Sequence, residues 1–373
     1  MPPWRGSLKR GSERFHLHSQ VHSTSPHGKA GPTASPFPMN ERALIARLRA
    51  RVPAAPDWVL TGPGDDAAVI APARGCVEVV TTDALVEGVH FRRDWRPQIQ
   101  GALRTVAFDI GRKAVAVNLS DIAAMGATPR ALVLSLALPP DFPVEEFDAL
   151  IDGVVSLATE TKTALVGGNL SRSPSGLQIH ITAIGVVRPR RVMRRSGARP
   201  GDRLFVTGRL GAAAAGLAML VASEQPGFSP ADAVGLKPDG SKDILNAHLR
   251  PSARLRTGLI VANNRAASAC MDLSDGLADA VHQICEASGC GADVDAKAIP
   301  VHDAATRAQA LSGGEDYELL FAVPKRRIRR FLAAIRQAGE APATDIGVCT
   351  KGTDVVLTED GVATPMPDGF AHL

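Results

Sequence analysis

The chain has 373 residues, 45% of them hydrophobic and 21% charged, with a formal net charge of +4. That length predicts two globular domains with ample core, and aromatics at 4% leave little for stacking nucleic-acid bases despite the basic balance. Five cysteines (Cys76, Cys270, Cys285, Cys290, Cys349), an odd number without C-x-x-C spacing, argue against a disulfide framework or a zinc site and for reduced thiols in the cytoplasm. The longest apolar run, "LGAAAAGLAMLVAS", is too short to span a bilayer.

Residues 1–38 are rich in Ser, His, Pro and Gly and lack the apolar centre of a secretory signal, so a disordered N-terminal extension is expected. A helix follows over 40–52, then strands in "DAAVIAP" and "CVEVVTTDALV". Apolar residues recur at helical spacing through "RTVAFDIGRKAVAVNLSDIAAMG". The strand "ALVLSLALP", the helix "VEEFDALIDGVVSLATET" and the strands "TALVGGN" and "LQIHITAIGVV" carry the chain to residue 187. "RRSGARPGDRLFVTG" reads as a Pro-Gly turn and a strand that start a second half. There follow an alanine-rich helix over 211–223, a polar stretch at 224–242 and a helix over 253–263. After "ACMDLSDGLADAVHQICEASG" and "AQALSGGEDYELLFAVP", a helix over 325–338 and the strands "ATDIGVCT" and "TDVVLTED" complete the chain. This order predicts an α+β fold of two domains, 39–187 and 188–373, each a mixed sheet packed with helices, rather than a doubly wound parallel sheet.

The chain has no G-x-x-x-x-G-K-[ST] loop, no G-x-S-x-G elbow and no H-E-x-x-H pair. "GPGDDA" fits G-x-G-x-x-A on paper, but Asp65 and Asp66 would stand where a pyrophosphate must approach. Acids instead recur at the ends of apolar segments: Asp65 and Asp66, Asp83, Asp121, Asp272 and Asp275, then Glu315 and Asp316. Any one of them could be a helix cap or a turn residue, and His90 could be an ordinary strand-end histidine. Together they offer hard oxygen ligands of the kind Mg²⁺ takes alongside water and phosphate. Arg195 and Lys113 supply basic groups for phosphoryl chemistry.

The segments "GPGDDAAVI", "TTDALVEGVHF", "KAVAVNLSDIAAMGATP", "VGGN", "RRSGARPGD", "MDLSDGL" and "SGGEDYELLF" resemble the thiamine-monophosphate kinase family in order and spacing over residues 39–373. That family sits in the superfamily of aminoimidazole ribonucleotide synthetase. The resemblance implies two α+β domains, a homodimer through the N-terminal domain, and transfer of the ATP γ-phosphoryl to thiamine monophosphate. It implies that Asp66, Thr81, Thr82, Asp83, Asp121, Asn169, Asp272 and Asp275 hold several Mg²⁺ ions. Gly168, Asn169, Arg195 and Ser274 would face ATP, and His90, Glu315 and Phe370 the thiamine substrate. One departure stands out: Asn169 occupies a position where many members carry Asp, and its amide oxygen can coordinate without charge. The alternatives are a nucleotide-binding relative without turnover, or another ATP-dependent phosphoryl-transfer enzyme of the superfamily. The selenophosphate-forming and hydrogenase-maturation members fit poorly, because the first cysteine is Cys76 and the chain ends "FAHL".

Overall fold

A computed structural model describes residues 40–64, 66–95, 106–223 and 238–370, and its strands form two large sheets and one small hairpin. The first part runs α1 (Glu41–Arg51), β1 (Val59–Thr61), β2 (Val69–Ile70), β3 (Val77–Val86), α2 (Val106–Ala124), β4 (Thr128–Leu138), α3 (Val144–Glu160), β5 (Ala164–Arg172) and β6 (Gln178–Val187). β1 and β2 form the hairpin, and the other strands form a four-stranded sheet ordered β3-β6-β4-β5. Only β4 and β5 are parallel within it, joined across α3.

The second part runs β7 (Arg203–Thr207), α4 (Ala212–Ala222), α5 (Pro238–Leu249), α6 (Leu255–Asn263), β8 (Ala269–Asp272), α7 (Leu277–Ser288), β9 (Gly291–Asp295), α8 (Arg307–Ser312), β10 (Leu319–Val323), α9 (Ile328–Ala338), β11 (Ala343–Thr350), β12 (Val355–Glu359) and β13 (Val362–Pro365). Its seven strands are ordered β13-β12-β9-β11-β7-β10-β8. Helices cover both faces, which is why β8 and β10 read as continuous apolar runs. Leu320, Ala322, Met271 and Val206 pack with α7 on one face, while Leu319, Phe321, Cys270 and Phe205 pack with Phe331 of α9 on the other.

The α+β architecture matches the expectation, with local differences. β1, β9 and β13 were not anticipated, because three to five residues are too few to display alternation. α5 occupies part of the stretch expected to be merely polar, its apolar side carried by Ile244, Leu245 and Leu249. Residues 1–38 and 224–237 lie outside the described residues. All five cysteines are unpaired, and among the described residues no helix is long and apolar enough to cross a membrane.

α2 holds the two sheets together. Nearly every one of its side chains is buried, as expected of a helix apolar around its whole circumference. It touches α3, β3 and β6 on one side and α6 and β8 on the other. The α2–α3 approach depends on two glycines: a Cβ on Gly153 would lie 2.0 Å from the Phe108 carbonyl oxygen, and one on Gly111 would lie 2.1 Å from that of Leu150. Gly153→Ala should therefore lower stability by about 3 kcal/mol by forcing the helices apart. Chemical denaturation measures this, and an unchanged midpoint would mean that the helices do not meet there.

Candidate functional site

The acids of two different sheets meet across α2. β3 is an edge strand of the first sheet and β8 an edge strand of the second. Side chains alternate along a strand, so Thr81 and Asp83 share the face of β3 that looks toward α2. The Asp83 N–H donates to Asn118 Oδ1 (3.0 Å), and Asn118 Nδ2 donates to the Ala114 carbonyl of its own helix. Asp121, three residues further along α2, accepts a short hydrogen bond from the Thr81 hydroxyl. Ser120 donates 2.7 Å to Asp272 Oδ2, in a pair buried at the end of β8.

These carboxylates act on one another. Burial, followed by the charges of Asp121 and Asp275, pushes Asp83 up to about 6. Burial and Asp121 push Asp272 up to about 7, with Asp83 adding to the effect and the Ser120 hydroxyl opposing it. Asp121 is also raised, burial outweighing the Thr81 hydroxyl and the Arg195 guanidinium. Arg195 donates to Gln283 of α7, and its charge reaches both Asp121 and Asp279. Repulsion of this kind is what a cation would relieve.

Among the described residues, no three carboxylates, imidazoles or thiols are gathered closely enough to wrap a single ion. The donor set does fit Mg²⁺, which keeps several waters and is commonly held by one or two carboxylates together with substrate phosphates.

Two loops close the site. Residues 272–276, "DLSDG", and 313–318, "GGEDYE", continue the β8–β10 pairing: Glu315 N–H donates to Ser274 O (2.7 Å), Tyr317 N–H to Leu273 O (2.9 Å) and Leu273 N–H to Glu318 O (2.9 Å). Glu315 and Tyr317 both adopt positive φ, 59° and 50°, a strained conformation that persists only where the surroundings enforce it. The enforcement is visible. Glu315 lies 2.9 Å from Lys113 Nζ, and its Oε2 lies 2.9 Å from His248 Nδ1. Asp316 turns the other way and accepts from Gly211 N–H (2.7 Å) at the start of α4, while burial pushes its carboxyl up to about 7.

Burial works to raise Glu315, but Lys113 and His248 outweigh it and hold its carboxyl at about 2. His248 is pushed down by burial and by Lys113. Neither of its ring nitrogens completes a well-directed hydrogen bond, despite the short approach to Glu315, and Trp95 meets the ring edge-on at 5.4 Å.

The other expected site residues divide into two places. His90 sits in the turn after β3, where its carbonyl accepts from Lys113 Nζ (3.3 Å), so Lys113 links His90 to Glu315. Ser274 donates to Asp275 Oδ2 (2.9 Å), and the backbone N–H of Phe370, whose side chain is 53% exposed, donates to Asp275 O (3.0 Å). Ser274 and Phe370 thus border the acidic cluster through Asp275, whose charge acts on Asp83. Asp66, Gly168 and Asn169 do not. They line a separate 740 Å³ cavity between α1, the β1–β2 hairpin and β5. β5 is the far edge of the first sheet, three strand spacings or about 14 Å from β3. Asp83, Ile181, Leu134 and Gly168 form one cross-sheet row, so Asn169 projects from the opposite face. Thr82 likewise points away from the cluster, its hydroxyl donating to Ile181 O (3.0 Å) and accepting from Thr182. The side chains of Thr82, Asn169 and Asp66, expected among the ligands of several Mg²⁺ ions, thus lie apart from the cluster of Asp83, Asp121 and Asp272. Asp65 lies outside the described residues.

Sequence reasoning named Lys113 as a basic group for phosphoryl chemistry but not as the partner of Glu315, and it missed Asn118, Ser120 and His248. The signal for Asn118 and Ser120 was present as polar residues inside an otherwise apolar helix.

Residues 64–187 match the N-terminal domain, and residues 199–360 the C-terminal domain, of AIR synthase related proteins. Fold and site therefore define a member of that class. The hydrogenase maturation protein HypE of Escherichia coli shares the fold, with a TM-score of 0.69 at 19% identity. Closer likeness is to thiamine-monophosphate kinases. That of Salmonella typhimurium is 40% identical over 317 residues, covering 82% of this chain and 89% of the relative, and that of Bacillus subtilis is 33% identical over 324 residues, covering 83% and 93%. The crystal structure of the Stenotrophomonas maltophilia enzyme aligns with a TM-score of 0.72 and 37% identity over 87% of this chain and 98% of its own. AaThiL complexed with AMPPCP and TMP aligns with a TM-score of 0.67 and 31% identity over 81% and 89%. The chain belongs to the thiamine-monophosphate kinase family.

The Glu315 pair makes a testable demand on stability. A carboxyl whose folded value lies below its ordinary 4.5 stabilises the fold fully above 4.5, and loses that contribution as pH falls toward 2. Glu315→Gln, which leaves Lys113 buried without its counter-ion, should lower stability by about 3 kcal/mol at pH 7. The gap to wild type should narrow below pH 4.5. Urea unfolding across this range measures it, and a gap independent of pH would remove the ion pair as the cause.

Proposed function

We propose that this enzyme transfers the γ-phosphoryl group of ATP directly, in line, to the phosphate of thiamine monophosphate, forming thiamine diphosphate. The observation that carries the reading is the convergence of Asp83 and Asp272, from two sheets, with Asp121 of α2 beside Arg195. Family membership supplies the choice of substrates, since relatives bear that kinase name and AaThiL has been solved with AMPPCP and TMP.

In this reading Asp83, Asp121, Asp272 and Asp275 hold Mg²⁺. Bound there, Mg²⁺ supplies the positive charge that offsets repulsion between donor and acceptor phosphates. Arg195 and Ser274 face the nucleotide. His90, Glu315 and Phe370 receive the thiamine moiety, with Lys113 fixing the spacing of the first two. A phosphate acceptor is already ionised near neutral pH, so no side chain needs to remove a proton from it. Asp66, Gly168 and Asn169 form a second nucleotide- or metal-contacting element on the far edge of the first sheet.

Asp83→Asn should preserve folding and lower kcat by roughly 100-fold or more, as expected when a charge serving the transition state is removed. Thiamine diphosphate formation from ATP, Mg²⁺ and thiamine monophosphate, followed by chromatography, measures this. Near-normal turnover of the variant at limiting Mg²⁺ would refute the metal role. Product formation by wild type that does not require thiamine monophosphate would refute the acceptor.

We further propose a cytoplasmic homodimer formed through the N-terminal half, with the domain boundary near residue 187. α2 and α3 cover one face of the first sheet. The other face carries Val80, 61% exposed, paired with the half-buried Ile184, an exposed apolar position of the kind found at interfaces. Val80→Glu should convert the protein to a monomer in sedimentation velocity. An unchanged sedimentation coefficient, whether that of a dimer or a monomer, would exclude this face.

A further inference from the structure

At the opposite end of β8 from Asp272 lies a 370 Å³ hollow walled by Arg190, Arg191, Arg199, Arg265, Arg326 and Arg327. Four residues at about 3.3 Å each put it roughly 13 Å along the strand from the acidic cluster. Among the described residues none of these six arginines forms an ion pair. Elsewhere Arg47, Arg203, Arg250 and Arg307 all sit against carboxylates. Arg191 donates to Asn263 Oδ1 (2.6 Å) and Arg327 to the Ala267 carbonyl (3.2 Å), so both are held in place by neutral acceptors that leave their charge uncancelled. The one acid on the wall, Asp202, is buried, and its Oδ2 already accepts from the Ser268 hydroxyl (2.6 Å) and the Arg199 N–H (3.2 Å).

Six like charges around one hollow repel each other and draw in counter-ions. Guanidinium groups bind phosphate oxygens in a planar, two-pronged geometry that water does not match. The volume stands at the low end for ligand pockets, which suits a compact anion better than a whole nucleotide. We propose that this hollow is a binding site for a small anion bearing a diphosphate group, separate from the acidic cluster.

The hollow is also joined to the active end. Its wall continues through Met193, whose N–H donates to Met125 O just beyond α2 (3.2 Å), and through Arg194, whose carbonyl accepts from Cys270 N–H of β8 (2.9 Å). The next residue is Arg195, which faces Asp121.

The test is calorimetric titration of the full chain with sodium pyrophosphate in EDTA, where the acidic cluster has no divalent cation and repels anions. Wild type should bind at one saturable site. Arg265→Ala combined with Arg326→Ala should weaken binding about tenfold or more, and Lys at both positions should lose less than Ala because charge is kept while the fork is lost. Both arginines are exposed, and a thermal melt of each variant verifies folding. Competition by ADP at this site would identify an ester-borne diphosphate as the ligand, and pyrophosphate binding without ADP competition the free anion; either upholds the site. No saturable binding at millimolar pyrophosphate, or equal affinity in the double alanine variant, overturns it.

Discussion

The site depends on one constraint: carboxylates from two separate sheets must be held within each other's electrostatic reach. Holding them there is costly: burial and neighbouring carboxylates, Asp121 above all, disfavour the charged forms of both Asp83 and Asp272. α2 prevents separation mechanically. It is gripped by α3 through paired glycines and by β8 through Ser120, so Asp121 sits at the seam between the two sheets. The helix is buried because both sheets need it, and the acids are close because it is buried.

The same logic runs through the loops. The "DLSDG" and "GGEDYE" segments are stitched by backbone hydrogen bonds and then pinned by side chains pulling in opposite directions, Glu315 toward α2 and α5, Asp316 toward α4. Positive φ at Glu315 and Tyr317 is tolerated because the carboxylates are held on both sides. Strain, buried charge and expected substrate contacts coincide in six residues.

Much of this is legible in the sequence. Long periodic segments such as α2, α3 and β6 declare themselves through apolar spacing, and acids at strand ends mark the region of the chemistry. What a motif hides is direction. "TTD" reads as three adjacent ligands, yet a strand sends Thr82 to the face opposite Thr81 and Asp83. "VGGN" likewise sits in a strand whose place at the far sheet edge is a property of topology, and one sequence does not spell out strand order. His248 escaped notice because α5 begins in a stretch whose composition looks like loop, and its reason for being helical lies in the apolar side it turns to the core.

The opposed anchoring of Glu315 and Asp316 has a consequence for how the protein breathes. α4 and α5 pack on each other; the first is tied to the loop through its N-terminal amides and the second through His248. Neither helix can lift away without releasing a carboxylate of the loop and uncovering Lys113. Helix pair and loop therefore open as one cooperative unit, so amide exchange in the first turn of α4 becomes a clock for the exposure of the residues expected to meet substrate.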